Sequence, residues 1–463
     1  MIESKQLDME AILDRAIHKL PSSDTEQIVS MTKEIDNVNP LAFFESAKQI
    51  GNNRLFWKNL NDGFTLAGAG HVLDITAEED RYKSTEKRIT NLMEKAVIHN
   101  PYKLPGTGLV LLGGMKFDPK RETSSLWKKF KTSEFRLPQF MLTQMNHRTF
   151  LTINVIVKKE DHPKQLSARL KEIERKLLET RNIPFEAVSI QKKTEKNVAE
   201  WLQTIEMVKD AIRSGNTEKI VLAREIRITF DQSFVISSVL HELMQTQPNS
   251  YVFAYEQGDN CFVGATPERL VRVDKQELLS TCLAGTAPRG KTKEEDEKIG
   301  AYLLNDKKNR EEHDFVVQMI KSAISKYSTN VNIPEAPVLY RLKNLQHLYT
   351  PVTAKLKEGY SIFDIVEQLH PTPALGGTPT EDALAFIREH EPMDRGWYGA
   401  PIGWVDSNRS GEFAVAIRSA LLQGNEASLF AGCGIVKDSD PKSEYEETAI
   451  KMLPMLTVLG GNV

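Results

Sequence analysis

Strand-forming segments in this chain come in runs rather than singly between helices. Arg54 to Trp57 and Phe64 to Ile75 flank Asp62-Gly63, a dipeptide suited to a tight hairpin turn. Leu109 to Leu112 and Phe140 to Val157 add further strand. From Tyr251 to Thr286 strand signals recur with short breaks, and they return at Val338 to Leu348, Gly399 to Asp406 and Glu412 to Val436. Hairpin-linked strands pair antiparallel, whereas parallel neighbours need a long crossover, usually a helix. The pattern therefore predicts an α+β fold with large antiparallel sheets, not a doubly wound parallel sheet.

Helical spacing appears between these runs. Met9, Ile12, Leu13, Ala16, Ile17 and Leu20 share one face, and Pro21 stops the run. Asn39-Pro40 is an N-cap and first-turn pair. Helices are predicted over Glu78 to Ile98, Gln165 to Thr180, Ala199 to Ser214 (closed by Gly215), Phe234 to Gln245 and about Glu444 to Leu459. Glu294 to Tyr327 reads as one long, charged helix. A second region begins near Lys196. Residues 1–195 form an N-terminal region and 196–460 a second one, and two regions sharing one core fit the pattern as well as two separable domains do. The residues show no internal repeat, low-complexity tract or obvious linker.

Charge excludes some classes of function. The 463 residues carry 60 Lys+Arg against 63 Asp+Glu, a formal net charge of -3. That balance argues against bulk binding to nucleic acid or an anionic membrane. Lys128, Lys129 and Lys131 form a basic cluster, read as a solvated face because Glu122 and Glu134 lie nearby. No apolar stretch approaches a membrane span. Glu3, Asp8, Glu10 and Asp14 interrupt what would be the apolar part of a signal peptide. Cys261, Cys282 and Cys433 show no C-x-x-C spacing. The expectation is a reduced, cytoplasmic protein without a disulfide frame.

Two glycine motifs carry little weight. Gly285-Thr-Ala-Pro-Arg-Gly290-Lys291-Thr292 matches the phosphate-loop pattern, which would make the protein a P-loop nucleotidase. The residues that follow, Lys293 to Lys298, are mostly acidic and would repel nucleotide phosphates, and no alternating βαβ units surround the match. Gly68-Ala-Gly70 begins like a dinucleotide fingerprint, but Leu73 takes the third glycine position.

Other residues are candidates for chemistry. Glu444 and Glu447 sit three apart and share a helix face. Alone they read as an acidic first turn favoured by the helix dipole; with Glu312, from Arg310-Glu-Glu-His313, they supply hard oxygen ligands for magnesium. Lys219 opens the strand Lys219-Ile-Val-Leu-Ala-Arg224. There it is either a solubility device or, inside a closed apolar cavity, a base of lowered pKa. Glu268, in Gly264-Ala-Thr-Pro-Glu268, is either a loop salt bridge or a desolvated acid. Arg418, inside a predicted strand, needs an acidic partner or a substrate carboxylate. Gly432-Cys-Gly434 ends the following strand, as a bend or as a close approach for a small anion.

These segments, in order, resemble the chorismate-utilising enzymes. The set is Lys219-Ile-Val-Leu-Ala-Arg224, Gly264-Ala-Thr-Pro-Glu268, Leu283-Ala-Gly-Thr286, Arg310-Glu-Glu-His313, Gln346-His-Leu348, His370-Pro-Thr-Pro-Ala-Leu375, Gly403-Trp404, Ala416-Ile-Arg418, Ala431-Gly-Cys-Gly-Ile435 and Glu444-Tyr-Glu-Glu-Thr448. It covers about Ala199 to Leu459. The resemblance implies a large sandwich of antiparallel sheets with helices packed outside and the active site between the sheets. Lys219 occupies the position of the base in members that use water, where ammonia-using members usually carry glutamine. Ala284 stands where aminodeoxychorismate synthases commonly place a nucleophilic lysine. Isochorismate or salicylate formation is left, and the His370 and Arg310 motifs resemble isochorismate synthases, most closely those of the menaquinone pathway. Siderophore-pathway enzymes, salicylate synthases and a non-catalytic binding relative are the alternatives.

The implied mechanism has Lys219, neutral, deprotonating water as it attacks ring C2, and Glu268 protonating the departing C4 hydroxyl. Mg2+ held by Glu312, Glu444 and Glu447 would fix the ring carboxylate, with Lys451 helping to neutralise it. Arg418, Tyr398 and backbone near Gly432 would hold the enolpyruvyl carboxylate, with His347, Gly285 and Thr286 lining the pocket. The expected partner is chorismate alone, without nucleic acid or membrane, on a monomer or weak homodimer.

Overall fold

The computed structural model describes residues 8–22, 25–179, 182–184, 188–342 and 345–460. Its hairpins close where left-handed backbone is tolerated. Leu55–Asn59 and Thr65–Ala69 pair around Gly63 at φ 73°. Phe140–Met145 and Arg148–Val157 turn on Asn146 and His147, at φ 47° and 62°, which gives the twist that flanking strands need.

These hairpins build two sheets, of thirteen and ten strands. Every pairing is antiparallel among the described residues except that of Gln27–Ile35 with Val97–His99. The helices Met9–His18, Pro40–Ser46, Pro163–Leu178, Ile236–Thr246 and Pro441–Val458 cover the outer face of the larger sheet through one apolar cluster that includes Leu13, Phe43, Leu170, Leu240 and Met452. Between the sheets lie Trp57, Phe253 and Phe262 from the larger and Ile402, Trp404 and Ala414 from the smaller. The fold is the expected α+β sandwich with helices outside.

The order of strands occurs twice. In the larger sheet Leu55–Asn59, Thr65–Ala69, Phe140–Met145, Arg148–Val157 and Gln27–Ile35 lie side by side. Tyr251–Gln257, Asn260–Thr266, Ser419–Gln423, Glu426–Ile435 and Lys219–Phe230 repeat that order with the same relative sequence positions. The smaller sheet repeats Val110–Met115, Ser133–Leu137, Leu73–Ala77 as Pro401–Asp406, Gly411–Val415, Arg269–Asp274. The halves meet where Leu55–Asn59 pairs with Tyr251–Gln257 and Val110–Met115 with Pro401–Asp406. This corrects the reading of no internal repeat: what recurs is topology, which constrains polarity patterns and turns rather than residue identities.

Some element boundaries also differ from expectation. Phe64 to Ile75 is two strands, Thr65–Ala69 in the larger sheet and Leu73–Ala77 in the smaller. Glu294 to Tyr327 is two helices, Lys293–Asn305 and Lys307–Ser325. Asp306 leaves the helical region there at ψ 117° and caps the second helix by accepting from Asn309 N. The strand Ile190–Glu195 pairs with Lys219–Phe230 at the end of the larger sheet.

Four short connections, among the described residues, carry the chain directly between sheets: residues 70–72, 138–139, 267–268 and 416–418. Sandwich corners are made this way. They place side chains where neither sheet continues.

Candidate active site

Glu268 and Arg418 sit on the two C-terminal crossings, which are stitched together. Val415 N donates to Glu268 O at 3.0 Å, and Ala265 N donates to Arg418 O at 3.0 Å. Arg418 was expected inside a strand; it lies instead in the gap between Gly411–Val415 and Ser419–Gln423, with φ 50°. A non-glycine residue held there is uncommon and persists only where surroundings enforce it. The crossing demands the reversal, and the Arg418 guanidinium is tied back by an Nη1 bond to Lys451 O at 2.8 Å.

Lys451 comes from the helix Pro441–Val458. Its Nζ donates to Gly432 O at 2.9 Å and pairs with Glu447 Oε1 at 2.6 Å. Glu268 keeps a little accessible surface, yet the protein around it desolvates the carboxyl. Burial raises its pKa to about 7 against the pull of Arg418 and Lys451. A carboxylic acid beside two fixed cations thus keeps a substantial protonated fraction up to about pH 7.

His347 and Thr286 face each other across a strand pair, His347 Nδ1 and Thr286 Oγ1 being 2.9 Å apart. The register slips between Ala284 and Thr286, and Gly285 at φ 76° supplies the bulge. Burial, aided by the Arg418 and Lys451 charges, lowers the His347 pKa to about 4, so the ring is neutral near pH 7.

Lys219 begins its strand opposite the Gly432-Cys-Gly434 stretch. A Cβ on Gly434 would fall 2.5 Å from Lys219 Cε, so the glycine makes room for the lysine. A Cβ on Gly432 would fall 3.5 Å from the Tyr398 hydroxyl. Tyr398 is buried and tilted on Phe430 at 5.4 Å. Lys219 Nζ pairs with Glu312 Oε1 at 3.1 Å, and a quarter of the side chain (26%) is exposed. Lys219 is drawn to Glu312 because the helix Lys307–Ser325 projects that carboxylate toward the strand end. His313 anchors this helix, with Nε2 2.7 Å from Thr350 Oγ1 and Nδ1 3.0 Å from Ala284 O. Cys282 lies within electrostatic reach of both Glu268 and Glu312.

Glu312, Glu444 and Glu447 do not gather around one point. Among the described residues no group of three or more carboxylate, imidazole or thiol side chains is placed to hold a metal. Each carboxylate has a local partner instead: Lys219 for Glu312, Lys451 for Glu447, and the Ser439 hydroxyl, 2.7 Å away, for Glu444. The donor set itself, carboxylate oxygens from two helices, is of the kind a hard divalent cation takes.

The phosphate-loop match fails on geometry. Gly285 to Pro288 belongs to an antiparallel strand, and the amides that would cradle phosphates are taken: Gly290 N donates to Asp296 Oδ1 at 2.8 Å and Lys291 N to Glu295 Oε2 at 2.7 Å.

Sequence reasoning missed Glu391 and Arg395. Both are buried. Arg395 Nε donates to Glu391 Oε1 at 2.7 Å and its Nη2 to Val221 O at 2.7 Å, while Ala223 N donates to Glu391 Oε2 at 2.7 Å. The pair clamps the segment bearing Tyr398 to the strand bearing Lys219. Two charged residues four apart in a loop carry no signal of their own.

Comparison with known proteins completes the picture. Residues 15–460 match the family described as "Chorismate binding enzyme". The chain is 43% identical over 453 residues to "Isochorismate synthase MenF" of Bacillus subtilis (strain 168), covering 96% of each. It is 34% identical over 461 residues to "Salicylate biosynthesis isochorismate synthase" of Pseudomonas aeruginosa, covering 97% of this chain and 94% of that one. The solved structure of MenF, the menaquinone-specific isochorismate synthase from Escherichia coli, aligns with TM-score 0.80 at 24% identity, covering 97% and 99% of the two chains. Anthranilate synthase component I from Streptococcus pneumoniae TIGR4 aligns with TM-score 0.69 at 21% identity, covering 85% and 92%, and so shares the fold.

Proposed function

The chain belongs to the chorismate-binding enzyme family, and on that footing we propose that it is an isochorismate synthase, an isomerase that interconverts chorismate and isochorismate in menaquinone biosynthesis. The observation that carries this reading is the extent of the match: 96% of the chain aligns with 96% of the Bacillus subtilis isochorismate synthase at 43% identity.

The reaction is an allylic displacement. A water oxygen bonds to C2, the ring double bonds shift, and the C–O bond at C4 breaks. Lys219 takes the proton released by the water, which requires its pair with Glu312 to open first. Glu268, protonated by burial, supplies the proton that the departing hydroxyl carries off as water. One water enters and one leaves, so the net change is an isomerisation, reversible through the same two groups in exchanged roles. Arg418, Lys451 and the Tyr398 hydroxyl hold the substrate carboxylates. Neutral His347, oriented by Thr286, offers a hydrogen bond without adding charge. Glu312, Glu444 and Glu447 are the residues that would hold Mg2+. The cation would supply neutralisation for a doubly anionic substrate.

No described helix is long and apolar enough to cross a membrane, and all three cysteines are free and buried. These observations support the reading of a cytoplasmic enzyme. Incubation with chorismate and Mg2+ followed by chromatography tests the assignment. Isochorismate in equilibrium with chorismate is expected; accumulation of salicylate and pyruvate at neutral pH would show a salicylate synthase instead.

A further inference from the structure

The N-terminal crossings have a hollow of their own. Residues 70–72 and 138–139 are the counterparts, in the repeated strand order, of the connections bearing Glu268 and Arg418. Beside them opens a cavity of about 420 Å³, whose lining includes His71, Asp74, Lys128, Lys129, Lys131 and Arg136. The three lysines, expected to be merely a solvated face, converge here.

Charge in this cavity is unbalanced. Arg136 is 1% exposed and forms its floor. Its Nε donates to Asp74 Oδ1 at 2.9 Å and its Nη1 to Glu256 O at 2.6 Å. Asp74, the one carboxylate lining the cavity, is also 3.2 Å from His71 Nε2. Burial pushes the Asp74 pKa up, but the bonds from His71 and Arg136 outweigh it and hold the group ionised. Behind the lining, buried Glu134 lies 3.5 Å from Arg136 Nη2 by its Oε1, so Arg136 faces two carboxylates and the three lysines leave the surplus positive. None of Lys128, Lys129 and Lys131 forms an ion pair among the described residues. Gly258, at φ 61°, turns the chain beside them, and a Cβ there would make ordinary contact with Lys129 Nζ at 3.7 Å.

We propose that this cavity binds the phosphate group of a small dissolved molecule. Three ammonium groups without partners suit a dianion better than a lone carboxylate, and lysine meets phosphate as a point charge without needing a fixed fork. The volume lies in the range of small-ligand sites. The buried, fully engaged Arg136 gives the site a rigid base, and the ordering cost of binding falls on the three exposed lysines. Nothing in the isomerisation of chorismate uses these residues, so the site is separate from the chemistry.

Calorimetric titration of the full chain with inorganic phosphate and with pyrophosphate, at ionic strength fixed with sodium chloride, tests this. Saturable binding at one site is expected. In the triple variant Lys128→Gln/Lys129→Gln/Lys131→Gln it should weaken about tenfold or more, with isochorismate formation in phosphate-free buffer unchanged. A remote triple with the same charge change, Lys164→Gln/Lys171→Gln/Lys321→Gln, should bind as the wild type does. Absence of saturable binding, equal affinity in the cavity triple, or equal weakening in both triples would overturn the proposal. Lys129→Gln alone, expected to be about threefold weaker, carries the same test if the cavity triple does not fold.

Discussion

Glu268 has a proton affinity that environment, not sequence, sets. Folding raises its pKa from 4.5 to about 7, so the native state binds the proton more tightly than the unfolded chain. Its contribution to stability is therefore complete below about pH 4.5 and is lost as the pH climbs through about 7. Two outcomes follow. kcat/KM for chorismate should fall above about pH 7 with a slope of one proton, and a profile level to pH 9 would contradict the assignment of the acid. Glu268→Gln should lower kcat by about 10²–10⁴-fold, yet in thermal melts it should gain on the wild type as pH rises from 5 to 8. Lys219→Ala should lose activity by a similar factor while Lys291→Ala, in the failed phosphate loop, keeps it; chromatographic assays of both variants check this. Motif and order made Lys219, Glu268 and Arg418 legible as candidates. The Lys219–Glu312 pair was not legible, because 93 residues separate its members and only the packing of a helix against a strand end joins them.

Elements carry the next layer. Most helices and hairpins were legible because apolar spacing and turn residues are local signals. The break at Asp306 was not: charged residues run through it, and aspartate is as compatible with a helix surface as with a cap. Nor was the departure of Arg418 from its strand, since Ala416-Ile-Arg418 alternates as a strand does while the chain changes sheets. The clamp formed by Glu391 and Arg395 belongs to this scale because it locks one loop against one strand. Arg395→Met should leave Glu391 buried without its cation and cost about 3–5 kcal/mol in urea unfolding. Tyr398 would lose its seat, so KM for chorismate should rise in whatever fraction remains folded. A loss under 1 kcal/mol would show the clamp to be dispensable.

Across the whole molecule, cation dependence is the quantity to measure. Three acidic residues contributed by two helices are held by Lys219, Lys451 and the Ser439 hydroxyl. Chelation should abolish isochorismate formation and added Mg2+ should restore it. Glu447→Gln should raise the Mg2+ concentration needed for half-maximal activity by about tenfold or more. Activity undiminished in excess chelator would remove the metal from this enzyme. The antiparallel class was legible at this scale, whereas the doubled topology was not, because equivalent strands share polarity and not letters. That doubling bears on how the polypeptide emerges from the ribosome. Leu55–Asn59 and Val110–Met115 are made early, but the strands that cover their open flanks, Tyr251–Gln257 and Pro401–Asp406, are synthesised roughly two hundred and three hundred residues later. Until then a nascent chain presents two unsatisfied sheet margins, so yield in the cell should depend on chaperones that shield such margins more than on the stability of the finished enzyme.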